Sequence, residues 1–173
     1  MVEFTKPSTV SVWGEFYEDI IKPKPLAGTS DLKVKKADTN RDAHFILDTM
    51  GRLFVIGGSE YGLLGLGPDK KHVSRLSLIA ESQNVAFKDF SVGSSHVLAV
   101  SSKNELYSWG RNDYGQLGLS GDEFYPAQVT VMEPEVSFTK VLAVENSSFA
   151  ITTDGEVWSW GENTDGLLGL NTK

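Results

Sequence analysis

One string recurs along this chain at a near-constant period, and that repetition limits the fold more tightly than any other feature. Tyr107-Ser108-Trp109-Gly110-Arg111-Asn112-Asp113-Tyr114-Gly115-Gln116-Leu117-Gly118-Leu119 returns as Trp158-Ser159-Trp160-Gly161-Glu162-Asn163-Thr164-Asp165-Gly166-Leu167-Leu168-Gly169-Leu170. A looser copy reads Phe54-Val55-Ile56-Gly57-Gly58-Ser59-Glu60-Tyr61-Gly62-Leu63-Leu64-Gly65-Leu66. Gly57, Gly110 and Gly161 lie 53 and 51 residues apart, and the glycines that follow in each copy keep those spacings. Self-similarity at such a period denotes a stacked-repeat architecture, which outranks every smaller motif.

Each copy has the same internal order. An aromatic or aliphatic alternation (Phe54 and Ile56, Tyr107 and Trp109, Trp158 and Trp160) ends at a glycine and reads as a short strand. The glycines after it suit backbone positions of positive φ, and Asn112 and Asn163 suit the same turn, because asparagine tolerates the left-handed region and can bond its own backbone. A second apolar run precedes the strand, His96 to Val100 in the middle copy and Phe149 to Ile151 in the last. Met50-Gly51, Lys103-Asn104 and Asp154-Gly155 sit between the two runs, and Asp-Gly there is a hairpin signal. An extended return such as Tyr125-Pro126-Ala127-Gln128-Val129 follows the glycine turn. About four short strands per unit suit one blade of a β-propeller.

The Trp-Gly-x-Asn-x-x-Gly-Gln-Leu-Gly string of the middle copy resembles the regulator of chromosome condensation repeat, as does Gly93-Ser94-Ser95-His96 ahead of it. The resemblance runs from about Val34 to Leu170 and implies an all-β fold: four-stranded antiparallel blades forming part of a seven-bladed-type propeller. The family glycine is replaced by Asn40 and Val144, the family histidine by Ala43 and Ser147, and Gln116 by Leu63 and Leu167. The repeats divide the chain into residues 34–86, 87–137 and 138–173, the last stopping before its return strand, after a segment 1–33 that holds a partial blade strand and its return. Val10 to Gly14 alternates and ends in Trp-Gly like the later strands, while Pro23, Pro25 and Leu26 stand where the return falls. Three copies and a stub fall short of a ring, since closed propellers have about four to eight blades. The chain is therefore expected to be a fragment of a longer protein, or an open arc whose edges another chain covers.

Charge and composition then exclude classes of function. A net charge of −7 argues against a phosphate-backbone ligand, which wants clustered lysine and arginine. The chain has no cysteine, no apolar run long enough to cross a bilayer and no secretory leader pattern at Met1 to Pro7, so an intracellular protein, cytoplasmic or nuclear, is expected. Gly62 to Gly67 followed by Lys70 and Lys71 imitates a phosphate loop, yet the same glycines recur in copies without lysine. His44, His72 and His96 occupy unlike repeat positions with no ligand spacing, so no metal or cofactor is expected. Ser95, His96 and Asp113 could be written as a nucleophilic triad, but triads are defined by geometry and no nucleophile elbow supports one. The ring of His96 is expected to satisfy backbone groups of the neighbouring blade. Trp13, Trp109, Trp158 and Trp160 sit at or beside strand endings, where they suit packing between blades rather than the clustered tryptophan surface of the light-sensing relative within the family.

The resulting expectation is a non-enzymatic protein–protein interaction module, an arc of blades presenting loops to a protein partner. The resemblance also implies an alternative, guanine-nucleotide exchange on a Ran-type small GTPase, although no wedge insertion is present. Connecting loops on a rigid scaffold carry binding, so the turn tips are the candidate contacts: Glu60 and Tyr61, Asp113 and Tyr114, Thr164 and Asp165.

Overall fold

Every period of the sequence becomes one antiparallel sheet in the computed structural model, which describes residues 11–12, 24–79, 84–131, 136–164 and 166–170. A small ladder comes first, pairing β1 (Ser11–Val12) with β2 (Lys24–Pro25). The first sheet then runs in chain order through β3 (Val34–Thr39), β4 (Ala43–Asp48), β5 (Leu53–Gly58) and β6 (His72–Ile79). The second repeats that order with β7 (Phe87–Val92), β8 (His96–Ser101), β9 (Leu106–Gly110) and β10 (Glu123–Gln128). The third holds β11 (Phe138–Val144), β12 (Ser147–Thr152) and β13 (Val157–Gly161). Among the described residues there is no helix. Of the segment expected to hold a partial blade strand and its return, Val10, Trp13, Gly14 and Pro23 lie outside the described residues.

Local sequence accounts for this register. The hairpins joining the second and third strands of each sheet turn at Gly51 (φ +82°), Asn104 (φ +69°) and Gly155 (φ +96°), three aligned residues in the left-handed region that a tight hairpin requires. Each sheet's first strand carries an irregularity at the same place, between Val34 and Lys36, Phe87 and Asp89, and Phe138 and Lys140. Such bulges sharpen the twist.

The sheets stack face to face, with β3, β7 and β11 adjacent on one side of the arc. Phe45, Leu47, Leu53 and Val55 of the first sheet pack on Phe87, Phe90, Val97, Ala99 and Trp109 of the second. One period later, Leu98, Val100 and Leu106 pack on Phe138, Val141, Ala143 and Ala150 of the third. The middle sheet is covered on both faces, so β8 and β9 are buried at every position, the polar His96, Ser101 and Ser108 included. Polar contacts repeat with the same offset. The Phe87 N–H donates to the Gly51 carbonyl and the Phe138 N–H to that of Asn104, both at 2.8 Å. Asp38 accepts from the Val92 N–H, and Ser91 from the Ala143 N–H, each at 3.0 Å. The indole N–H of Trp109 reaches the Leu63 carbonyl at 2.9 Å, and that of Trp160 reaches the Gln116 carbonyl at 2.8 Å. The first sheet is thus joined to the second, and the second to the third, by backbone and indole donors that meet carbonyl and side-chain acceptors.

Candidate partner-binding surface

The glycine turns after the third strands are rigid because their polar groups are spent internally. In the second sheet the Asn112 side chain accepts from the Leu117 N–H at 2.9 Å and donates to the Leu119 carbonyl at 2.7 Å, while its own N–H is capped by Asp122 at 2.7 Å. Asn163 accepts from the Leu168 N–H at 3.1 Å in the corresponding place. The asparagines therefore act through their amide groups; neither is among the left-handed residues, which corrects half of the expected reason for their presence. Gln116, expected from the family pattern, caps the same turn by accepting the Tyr114 N–H at 2.9 Å.

The first and second turns lean on the sheet that follows. A side chain on Gly65 would come within 2.8 Å of the Trp109 indole nitrogen, and one on Gly62 would meet Phe124, so these glycines mark close approach as well as positive φ. Tyr61 is carried in this way onto the second sheet, where the Arg111 guanidinium lies 4.4 Å from its ring centroid. Arg111 also pairs with Asp113, so two of the candidate tip residues, Tyr61 and Asp113, are gathered around one cation. Its hydrogen bond to the Asp113 carboxylate raises the Arg111 pKa above its ordinary value. Glu60 remains with its own sheet, paired to Lys71 at 3.0 Å. Tyr114 is 53% exposed, and Thr164 donates to Glu162 at 2.8 Å. Asp165 lies outside the described residues.

Arg111 and Glu162 were missed by sequence reasoning. Each directly follows a strand-ending glycine inside the aligned strings, but that position carries no sign of the partner it meets. Glu162 accepts from Asn146 at 2.9 Å as well as from Thr164, and these two bonds, Asn146 first, lower its pKa.

Beneath the turns lies a buried polar joint between the second and third sheets. His96 is 0% exposed, and its Nε2 meets the Ser148 hydroxyl at 2.9 Å. Ser148 gives its one proton to the Gln116 carbonyl at 2.6 Å. The histidine must therefore donate from Nε2, a tautomer assigned from the hydrogen-bond chain. Its Nδ1 has no partner among the described residues. The expectation that this ring satisfies backbone groups needs correction: it reaches a side chain, which relays the bond to the backbone. His96 is thus committed to Ser148 rather than Ser95, Asp113 belongs to Arg111, and the written triad is not assembled. Trp109 is fully buried and Trp160 half-buried between sheets, Trp158 packs edge-on against Phe138, and Trp13 lies outside the described residues. No group of three metal-ligating side chains occurs among the described residues, nor a helix long and apolar enough to cross a membrane.

The far face of the third sheet exposes Leu142, Ile151 and Val157. Ile151 and Val157 occupy the repeat positions of the buried Leu47 and Val100, and of Leu53 and Leu106. This face has the composition of an interface between sheets.

Two forms of the Regulator of chromosome condensation (RCC1) repeat match the chain, one over residues 87–116 and 138–167 and the other over 103–151. Among known proteins, the probable E3 ubiquitin-protein ligase HERC6 of Homo sapiens is 31% identical over 153 residues, covering 86% of this chain and 15% of that protein. The ultraviolet-B receptor UVR8 of Arabidopsis thaliana is 34% identical over 157 residues, covering 88% of this chain and 34% of the receptor. The crystal structure of Prp20p from Saccharomyces cerevisiae superposes with a TM-score of 0.78 at 22% identity, over 95% of this chain and 44% of that one. The chain thus spans a minor part of each relative's length.

Proposed function

The chain belongs to the regulator of chromosome condensation repeat family, and from that premise we propose that it is a non-catalytic protein–protein interaction module acting inside the cell. The observation that carries this reading is the set of turns held rigid by Asn112, Gln116 and Asn163 while Tyr61 and Tyr114 stay exposed beside charged groups. Tyrosine with arginine on a preorganised surface is the composition of protein interfaces. The buried histidine and serine serve to join two sheets, and neither reaches a surface where a substrate could meet it.

Guanine-nucleotide exchange on a small GTPase is the alternative. It draws on the likeness to Prp20p, whose published structure concerns binding to Gsp1p and histones. Mixing the chain with Ran-type GTPases loaded with fluorescent nucleotide separates the two readings. Stable complexes without nucleotide release support the interaction module; release accelerated by orders of magnitude rejects it.

The exposed face of the third sheet favours one further partner against it, a blade of this same repeat kind. Ile151 and Val157 repeat the pattern that the middle sheet's Val100 and Leu106 bury against its neighbour. Light scattering after size-exclusion chromatography tests it: a monomer that binds no other propeller fragment rejects this pairing.

A further inference from the structure

The repeat supplies an internal template for what the joint between the second and third sheets is built to receive. At the first joint three aligned positions hold Tyr61, Arg111 and Asp113: the cation covers the tyrosine ring, and the residue two places on in the chain fixes it. At the second joint the same three positions hold Tyr114, Glu162 and Thr164. The bond between the latter two survives, now running from the Thr164 hydroxyl to Glu162 at 2.8 Å, while the charge has changed sign. The ring and the carboxylate belong to one joint. The Tyr114 N–H is bound by Gln116, whose Cα lies 3.2 Å from where a side chain on Gly161 would begin, and Glu162 is the next residue.

Electrostatics at this joint is one-sided. Glu162 is held in place by donors from Asn146 and Thr164 and has no ion-pair partner among the described residues. The nearest charged side chain in sequence to Asn146 is Glu145, itself exposed, and Arg111 is already occupied by Asp113. An exposed tyrosine ring and a fixed, uncompensated carboxylate are the two halves of a cation site, since both attract an ammonium or guanidinium group.

Resting on the interaction reading above, we propose that Tyr114 and Glu162 form a docking site for a lysine or arginine side chain of a protein partner, which supplies from outside the cation that Arg111 supplies at the first joint. The guanidinium lies over the Tyr114 ring and its N–H groups donate to the Glu162 carboxylate. Arginine fits better than lysine, because its planar group can stack and donate together.

The probe is an acetylated, amidated Gly-Arg-Gly peptide, titrated into the ¹⁵N-labelled chain, with the uncharged citrulline peptide as control. The expected result is a saturable shift of the Gly115, Gln116, Gly161 and Glu162 amide signals with the arginine peptide alone. Glu162→Gln and Tyr114→Ala should each weaken it by about two- to fivefold, the scale of one exposed ion pair or cation–π contact. Glu162→Arg installs the first joint's cation and should abolish binding while leaving the remaining spectrum unchanged. Equal shifts with citrulline, shifts spread over the acidic surface, or a Glu162→Gln variant that binds as well as the parent would overturn the assignment. A silent joint in a chain that still forms complexes with a GTPase strikes this inference alone. Failure of the broader reading shows instead as nucleotide release.

Discussion

His96 makes the stability of this fold depend on pH in a window that can be worked out from its surroundings. Its Nε2–H is bound to Ser148, so a second proton must go to Nδ1, which is buried and without an acceptor among the described residues. Burial alone accounts for a pKa lowered from the ordinary 6.5 to about 4. The unfolded chain thus takes up the proton first, and stability that is fully present above pH 6.5 is lost as the pH falls toward 4. At about 1.36 kcal/mol for each unit of difference, the loss over that window is about 3 kcal/mol. Urea unfolding of the parent and of His96→Gln, followed at a series of pH values, reads this directly. Glutamine can still donate an N–H toward Ser148 but does not titrate, and carboxylates common to both chains cancel in the comparison. The parent should lose about 3 kcal/mol relative to the variant between pH 6.5 and 4 and nothing above pH 7. Profiles that run parallel throughout would refute the reasoning, because they would mean that Nδ1 finds a partner or water on protonation.

Three further outcomes are expected. Trp109→Phe removes the donor to the buried Leu63 carbonyl and leaves a gap between the first two sheets; a loss of about 2–4 kcal/mol is expected by urea titration. Gly115→Ala, at φ +75° in open space, should cost about 1 kcal/mol of backbone strain, whereas Gly65→Ala adds a clash with the Trp109 indole and should cost more by about 1–3 kcal/mol, an order that thermal melts of both variants would establish. Arg111→Ala should leave the fold intact but change the Tyr61 ring signals, because the contact lies at the surface and its loss is read in the ring's chemical shift.

Much of the architecture was legible because glycine and asparagine occur where the backbone has no substitute for them. The left-handed hairpin positions at Gly51, Asn104 and Gly155 align in sequence, and the chain turns at all three. Pairings within a sheet are local, and hairpin chemistry announces them. Contacts between sheets were less visible, since they join residues about one period apart: Leu63 to Trp109, Lys36 to Asp89, Asp38 to Val92, His96 to Ser148. Adding the period to a residue's number names the region it touches, but not the atom. That is why His96 could be placed at a joint while its partner was wrong: Ser148 fills a place that is His44 in the first sheet and Val97 in the second, so no copy foretold it. Arg111 escaped for a related reason. Its role depends on a tyrosine delivered by the preceding unit, and an isolated arginine after a glycine carries no sign of that.

The same offset turns one glycine into a reporter for the state of the open face. Gly65 and Gly118 each face an indole from the following sheet, and a Cβ added at either would lie 2.8 or 3.3 Å from its nitrogen. Gly169 occupies the same position in the third copy, at φ +70°, with nothing within 4 Å. An alanine there meets only backbone strain, about 1 kcal/mol, so Gly169→Ala should match Gly115→Ala when the chain is alone. A blade of this kind seated on the third sheet would bring its own indole onto Gly169 as Trp109 comes onto Gly65, and the substitution would then obstruct it. Sedimentation of the parent and of Gly169→Ala with a candidate propeller fragment separates the cases: weakened association at unchanged chain stability identifies a blade with an indole at that place. Equal association of both chains would show that whatever binds there is not the next unit of the same series.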